Sequence, residues 1–434
     1  MPDAFSGNPP DTLLAWLAHW ERLHPVGIDM GLSRVREVAE RMGLVRDGRL
    51  QGEGAAQVIS VAGTNGKGST VALLSSLARA HGKRAGAYTS PHLVRYNERV
   101  TIDGEPASDA LLVQGFERVE KARRAAPEIS LSYFEAGTLC ALWCLAQSAL
   151  DVVVLEVGLG GRLDAVNIID ADVAIITTIA QDHAGFLGHD IAQIGREKAG
   201  ILRAGRPAVL GSQALPPSVA ETAAELRAPV YALGEAFSRT PLERGAWLFK
   251  SSAAPSLTAL PDPGLPLDNA ATALQALALA GVELTPRGVV AALEQVSLPG
   301  RMQWRGPWCL DVGHNPHAAA YVAERFRALP ESGRRWCLLG MLDDKDAAGV
   351  IAALKPVISD WVCASLDGPR GRCADALAAD VAAQGGRVHH CAATPEAGAD
   401  WLDERLTDDD IVLVAGSFFT VGALLATPRF GNSG

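Results

Sequence analysis

Residues 62–70 read Ala-Gly-Thr-Asn-Gly-Lys-Gly-Ser-Thr, and no other stretch limits the fold so tightly. The apolar run Val58-Ile59-Ser60-Val61 precedes it and reads as a buried strand; Val71–Leu77 follows it and reads as a helix. A strand that feeds a helix through such a turn makes a phosphate cradle. Glycines let N–H groups turn toward an anion, and the helix N-terminus adds partial positive charge. Lys67 supplies a full charge, and Ser69 or Thr70 a hydroxyl that can hold Mg²⁺. The spacing departs from the usual P-loop, because Gly68 separates the lysine from the hydroxyls. The bland alternative is a glycine-rich βα turn that binds nothing.

A chain of 434 residues is long enough for two or three domains. Its net charge of −10 argues against nucleic acid as a partner. Seven cysteines without a spacing framework point to reduced thiols in a cytoplasm. Cys140 and Cys144, one helical turn apart in an apolar segment, read as core packing. No secretory signal and no apolar run of spanning length is visible, so the chain reads as cytoplasmic and soluble, with no membrane partner.

Beyond an amphipathic helix carrying Trp16 and Trp20, strands and helices alternate. Strands are expected at 84–88, 152–157, 173–179 and 207–210, and helices at 110–126, 133–147 and 191–201. That alternation means a mostly parallel sheet covered by helices. Residues 234–268 lack helical period and read as irregular structure or short antiparallel strands. Helices resume at 269–280 and 286–295. Leu298-Pro299-Gly300 then punctuates the chain, dividing it into domains 1–296 and 297–434. The second domain reads as five strands doubly wound with helices, beginning at Trp308–Asp311 and ending at Ile411–Val414.

Glu156 closes an apolar strand, where a carboxylate can hold Mg²⁺ beside the phosphate loop or stand as an ordinary exposed acid. Gly158–Asp164 follows it and could line a pocket at the same edge. The next strand brings His183 there, as a ligand or as a structural histidine. Ser90, after another strand, could add a hydroxyl or serve a turn. Arg196, Glu197 and Lys198 lie in a helix, where charges usually form solvated faces or ion pairs. Asp311 ends the first strand of the second domain and could hold ribose hydroxyls, while Asn315-Pro316 is also ordinary helix-capping chemistry.

Taken together these residues resemble the dihydrofolate synthase/folylpolyglutamate synthase family, relatives of the Mur ligases. The likeness runs over nearly the whole chain through Ile28–Leu32, Gly63–Ser69, Ser90-Pro91-His92, Tyr133-Phe134-Glu135, Leu155–Asp164, Asp182-His183, Gly195–Gly200, Pro299-Gly300-Arg301 and Asp311–Pro316. It implies a P-loop-type, doubly wound, mostly parallel α/β domain followed by a smaller Rossmann-like one. It also implies a monomeric ATP-dependent ligase that joins L-glutamate to dihydropteroate and to reduced folates through an acyl phosphate. By resemblance, Gly63, Thr64, Asn65, Gly66, Lys67, Gly68, Ser69, Asn269, Arg301 and Asp311 contact ATP, the last two from the far side of a cleft between the domains. Ser90 and Glu156 match ligands of one Mg²⁺. His183 matches a ligand of a second, with Lys198 carbamylated beside it, and Lys67, Lys198 and His183 carry the catalysis. Asp29, Met30, Gly31, Leu32, Ser132, Tyr133, Phe134, Glu135, Leu163, Asp164 and Ala165 match pterin-binding segments. Gly313 and Phe419 depart from the family pattern, which has Ala and, in bacterial bifunctional members, His there. The rivals are a folylpolyglutamate synthase alone, a Mur-type ligase of cell-wall precursors, and a nucleotide-dependent switch.

Overall fold

The computed structural model describes residues 10–24, 29–54, 56–182, 184–330 and 333–431. The chain divides into two compact units. Residues 1–90 and 97–297 form the first, and residues 91–96 and 298–434 the second.

The first unit is built on an eight-stranded sheet. Its strands run in the order Val230–Ala232, Ala208–Leu210, Val173–Ile176, Gln57–Ala62, Val152–Glu156, Ala85–Tyr88, Val100–Ile102 and Glu105–Pro106. The first six are parallel, and the last two turn back antiparallel at one edge. Both faces of the parallel part are covered, which is why Val152–Glu156 is apolar up to its last residue and Val173–Ile176 throughout, with every residue buried. Gln57–Ala62 lies between those two strands, so three strand ends open side by side at the carboxyl edge. In open α/β sheets that edge is where ligands bind.

The helix Lys67–Ala80 follows the central strand and packs its Leu73, Leu74 and Leu77 inward. Helix Leu267–Leu279 comes back against it late in the chain and is buried along most of its length. Residues 237–260 form a three-stranded antiparallel sheet, with Trp247 and Phe249 alternating inward on its middle strand. The helix Leu13–Leu23 packs Trp16 and Trp20 against Phe116 of the helix Asp109–Arg123, with ring centroids 6.2 and 6.0 Å apart. Cys140 is core, as its spacing implies, its thiol directed at the Leu112 carbonyl.

Among the described residues the second unit has a six-stranded sheet where five strands are expected from sequence. The addition is Gln303–Arg305, an edge strand antiparallel to Trp308–Leu310. Three polar or bulky residues after a turn carry no strand period, which hides it. A further helix, Phe418–Leu425, is also not expected from sequence. Another unexpected helix, Ser33–Arg41, lies in the first unit; its mean character is polar and no side chain caps it. Among the described residues no helix is long and apolar enough to cross a membrane.

Truncating Trp20, 1% exposed between two elements, leaves a cavity at the helix–helix junction. Trp20→Ala should lower the stability of the chain by about 3–5 kcal/mol in urea unfolding. A loss below about 1 kcal/mol would mean that the N-terminal helix contributes little to the first unit.

Candidate active site

The loop Gly63–Gly66 is shaped by two glycines in conformations that disfavour side chains. Gly63 has φ +154° and Gly66, which caps the following helix, φ +85°. A Cβ on Gly63 would fall 1.9 Å from the Thr177 hydroxyl, and one on Gly66 2.8 Å from the Asn269 amide nitrogen. The loop is sewn to the neighbouring strand end. Thr64 N–H donates to the Thr178 carbonyl at 2.7 Å, Asn65 N–H to the Thr178 hydroxyl at 3.1 Å, and Thr177 Oγ1 to the Asn65 carbonyl at 2.7 Å. These bonds hold the turn without a ligand's help.

Two ammonium groups converge on one carbonyl. Lys67 Nζ donates to Gly63 O at 3.1 Å and to Thr64 O at 3.3 Å. Lys198 Nζ donates to the same Gly63 O at 3.0 Å. Lys198 is only 5% exposed, and burial, aided by the charge of Lys67, lowers its pKa to about 7, against the pull of Asp182 and Asp164. Lys198 is thus not a solvated charge, and the neighbouring Glu197 pairs with Arg162 at 2.8 Å. Lys67, Lys198, Thr64 and Asp182 line one cavity with Gly63, Gly158, Leu159, Gly160 and Leu187.

Glu156, buried at the end of its strand, accepts a hydrogen bond from Ser90 N–H at 3.2 Å. The two residues expected to share a cation thus meet. Asn269, also buried, donates from Nδ2 to Ser69 Oγ at 2.7 Å, which brings it to the start of the phosphate-loop helix. His183 lies outside the described residues, as does Ile28. Among the described residues no three His, Cys, Asp or Glu side chains gather as a metal cage.

Several acids expected to touch ligand are engaged with the protein itself. Asp164 accepts from Leu159 N at 2.8 Å and Val166 N at 3.0 Å, so it shapes the Gly158–Gly160 loop. Burial raises its pKa to about 6 despite those bonds. Glu135 closes a reciprocal cap on its helix: its Oε2 accepts from Ser132 N at 2.8 Å and from Ser132 Oγ at 2.9 Å. Tyr133 and Phe134 carry the two rings of the segment, and the Arg99 guanidinium lies 5.7 Å over that of Tyr133. The Phe134 ring stands 6.3 Å from that of Tyr88 and directly over Gly158, where a Cβ would meet it at 2.5 Å. Met30 reaches the same wall, its methyl 3.5 Å from the place of a Gly160 Cβ. Leu163 is half-buried and Ala165 buried beside this loop.

In the second unit Asp311 accepts from Gly313 N at 2.8 Å and Met302 N at 3.0 Å. Burial raises its pKa, and the Arg301 charge opposes the rise. The Arg301 guanidinium lies 5.3 Å over the Phe418 ring. Sequence reasoning missed Arg34, which bridges the Asp29 and Glu135 carboxylates at 2.6 and 3.1 Å. An arginine near a helix start gave no signal of that role.

The chain matches two family models: the Mur ligase middle domain over residues 61–210 and the Mur ligase glutamate ligase domain over residues 300–418. It is 45% identical to an Escherichia coli dihydrofolate synthase/folylpolyglutamate synthase, the match covering 97% of each chain. It is 37% identical to one from Haemophilus influenzae over 95% of this chain and 97% of that one. In three dimensions it resembles Escherichia coli FolC in complex with DHPP and ADP, with TM-score 0.89, 43% identity, and 96% and 97% of the chains covered. A bifunctional folylpolyglutamate synthase/dihydrofolate synthase solved with Mn, AMPPNP and L-glutamate bound superposes with TM-score 0.86 at 43% identity, covering 96% and 98%.

The loop geometry makes one expectation sharp. Gly63→Ala must clash with Thr177 or leave its backbone conformation, so ATP binding measured by calorimetry should weaken by at least about tenfold. A variant that binds ATP as the parent does would show that the turn is dispensable.

Proposed function

Since the chain belongs to the dihydrofolate synthase/folylpolyglutamate synthase family of Mur-type ligases, we propose that it uses ATP to join L-glutamate to dihydropteroate and to reduced folates. The observation that carries this reading is the Lys67 ammonium set in a glycine loop at a helix N-terminus, with the Lys198 amine on the same Gly63 carbonyl and a buried carboxylate nearby. A triphosphate is the kind of ligand that such a cradle suits.

The chemistry runs in two displacements. An oxygen of the acceptor carboxylate attacks the γ-phosphorus of ATP, the bond to the bridging oxygen breaks, and ADP departs from an acyl phosphate. The amine of L-glutamate then attacks the acyl carbon, loses a proton, and expels inorganic phosphate as the amide forms. Such transfers need positioning and charge neutralisation above all. N–H groups at the helix start, Gly66–Ser69, and the Lys67 ammonium cradle the phosphates, and Asn269 orients that start. Tyr133, Phe134, Met30 and the Leu163–Ala165 segment receive the pterin.

Ser90 and Glu156 fit a divalent cation, since a hydroxyl and a buried carboxylate are the hard oxygen donors Mg²⁺ prefers. His183 and Lys198 are proposed to serve a second ion. Bound there, Mg²⁺ would neutralise charge on phosphate oxygens. Lys198 would support it as a carbamate: the neutral amine attacks the carbon of CO₂ and loses its proton, leaving an anionic oxygen pair. A pKa of about 7 keeps a large share of that amine neutral near neutral pH. The protein is proposed to act as a monomer in the cytoplasm.

Product analysis with dihydropteroate and tetrahydrofolate offered separately, each with ATP and L-glutamate, tests the double activity. Turnover of both is expected; extension of tetrahydrofolate alone would leave a folylpolyglutamate synthase only. ATP hydrolysis that is sustained without either acceptor would point instead to a nucleotide switch.

Lys67→Ala should leave the fold intact and raise the barrier by about 3–4 kcal/mol, by analogy with loss of one oxyanion donor. Near-normal kcat in the folded variant would sink the assignment. Lys198→Ala should lose activity and regain part of it with small carboxylates, and intact-protein mass spectrometry should find the carbamate. An unmodified Lys198 in active, metal-loaded enzyme would overturn that role.

A further inference from the structure

We infer that Arg34 is a positioning residue for the pterin end of the substrate, clamping the Asp29–Leu32 segment to the capped start of the helix Tyr133–Ala146. The inference rests on the reading of those two segments as the pterin site.

The clamp has three polar links. Arg34 Nη1 meets Asp29 Oδ2 at 2.6 Å, and Nη2 donates to the Asp29 carbonyl at 3.1 Å and to Glu135 Oε1 at 3.1 Å. The other oxygen of Glu135 is already committed to Ser132, so one buried carboxylate ties the helix cap to the guanidinium. His24 meets the same Asp29 oxygen, with Nε2 at 3.2 Å from Oδ2, and its Nδ1 meets Ser130 Oγ at 2.8 Å. Asp29 is therefore an anchor rather than a group free to read a pterin. Met30 is the next residue, and its methyl lies against the Gly158–Gly160 loop.

Nothing local asks for an arginine here. Arg34 sits in the first turn of the helix Ser33–Arg41, where the helix dipole disfavours a cation. Its buried Nε has no hydrogen-bond partner among the described residues, a cost that tertiary contacts must offset. Bridging two carboxylates from separate segments with a planar fork is what Arg does and Lys cannot. Dihydropteroate lacks the glutamate of the folates, so its placement leans most on this end.

The test is steady-state kinetics on the full chain with Arg34→Met and Arg34→Lys. Both variants should raise KM for dihydropteroate about tenfold, the scale of one charged hydrogen bond. KM for ATP and for L-glutamate should stay at the parent value, and KM for tetrahydrofolate should rise less. Hydrogen exchange at residues 29–32 should quicken in the ligand-free variants. A parallel rise in KM for ATP would mark a general structural role and overturn the inference, as would full recovery with Arg34→Lys, which needs only a charge. A parent chain that turns over tetrahydrofolate but no dihydropteroate would overturn the pterin-site reading, and the inference with it.

Discussion

Two lysine ammonium groups share the carbonyl oxygen of Gly63, and the rest of the first unit is arranged around that meeting. Like charges this close destabilise one another, and burial removes the water that would screen them. The structure answers in two ways. It depresses the proton affinity of Lys198, the more buried of the pair. It also sets a helix N-terminus at the same point, so that an incoming polyanion would meet the lysine charge and the helix start together. Glycine at 63 and 66 follows from the same geometry, since a side chain at either place would strike Thr177 or Asn269.

The acids around the site divide by what they accept from. Asp164, Glu135 and Asp311 accept backbone N–H groups and hold loops or caps in shape. Glu156 also accepts one backbone N–H, but from Ser90, the hydroxyl-bearing residue with which it would share a cation. A buried carboxylate bonded to several amides is a rigid structural element, because removing any donor leaves an uncompensated charge. Preorganisation of the cradle and of the pterin segments thus comes from acids that need not touch substrate.

Much of the architecture was legible because parallel, doubly covered strands must be unbroken apolar runs. Val152–Glu156 and Val173–Ile176 announce themselves, and so do the Pro-started helices Pro286–Gln295 and Pro316–Arg327. Elements that rely on neighbours for stability were not legible. Gln303–Arg305 has no period of its own and is a strand only because Trp308–Leu310 offers it a ladder. Helix Ser33–Arg41 buries Val35, Val38 and Ala39, a stripe too narrow to stand out among its charges. Residues 91–96 belong with the second unit although they are flanked in sequence by the first, and no local property marks such an excursion.

What the sequence determined by itself was the chemistry on offer: glycines, Lys67 and hydroxyls at a strand end, a strand-terminal Glu156, and alternating strands and helices to carry them. These are local properties, set by backbone freedom and hydrophobic period. Only the tertiary structure decided which charges meet. Lys198 lies 135 residues beyond Gly63 and reaches its carbonyl because two distant segments fold to one sheet edge. Asn269 lies 200 residues beyond Ser69 and arrives on a returning helix. Arg34 finds Glu135 across 101 residues. Pairing across such distances depends on sheet order and packing, which no local pattern encodes, and burial then sets the proton affinities that the chemistry uses.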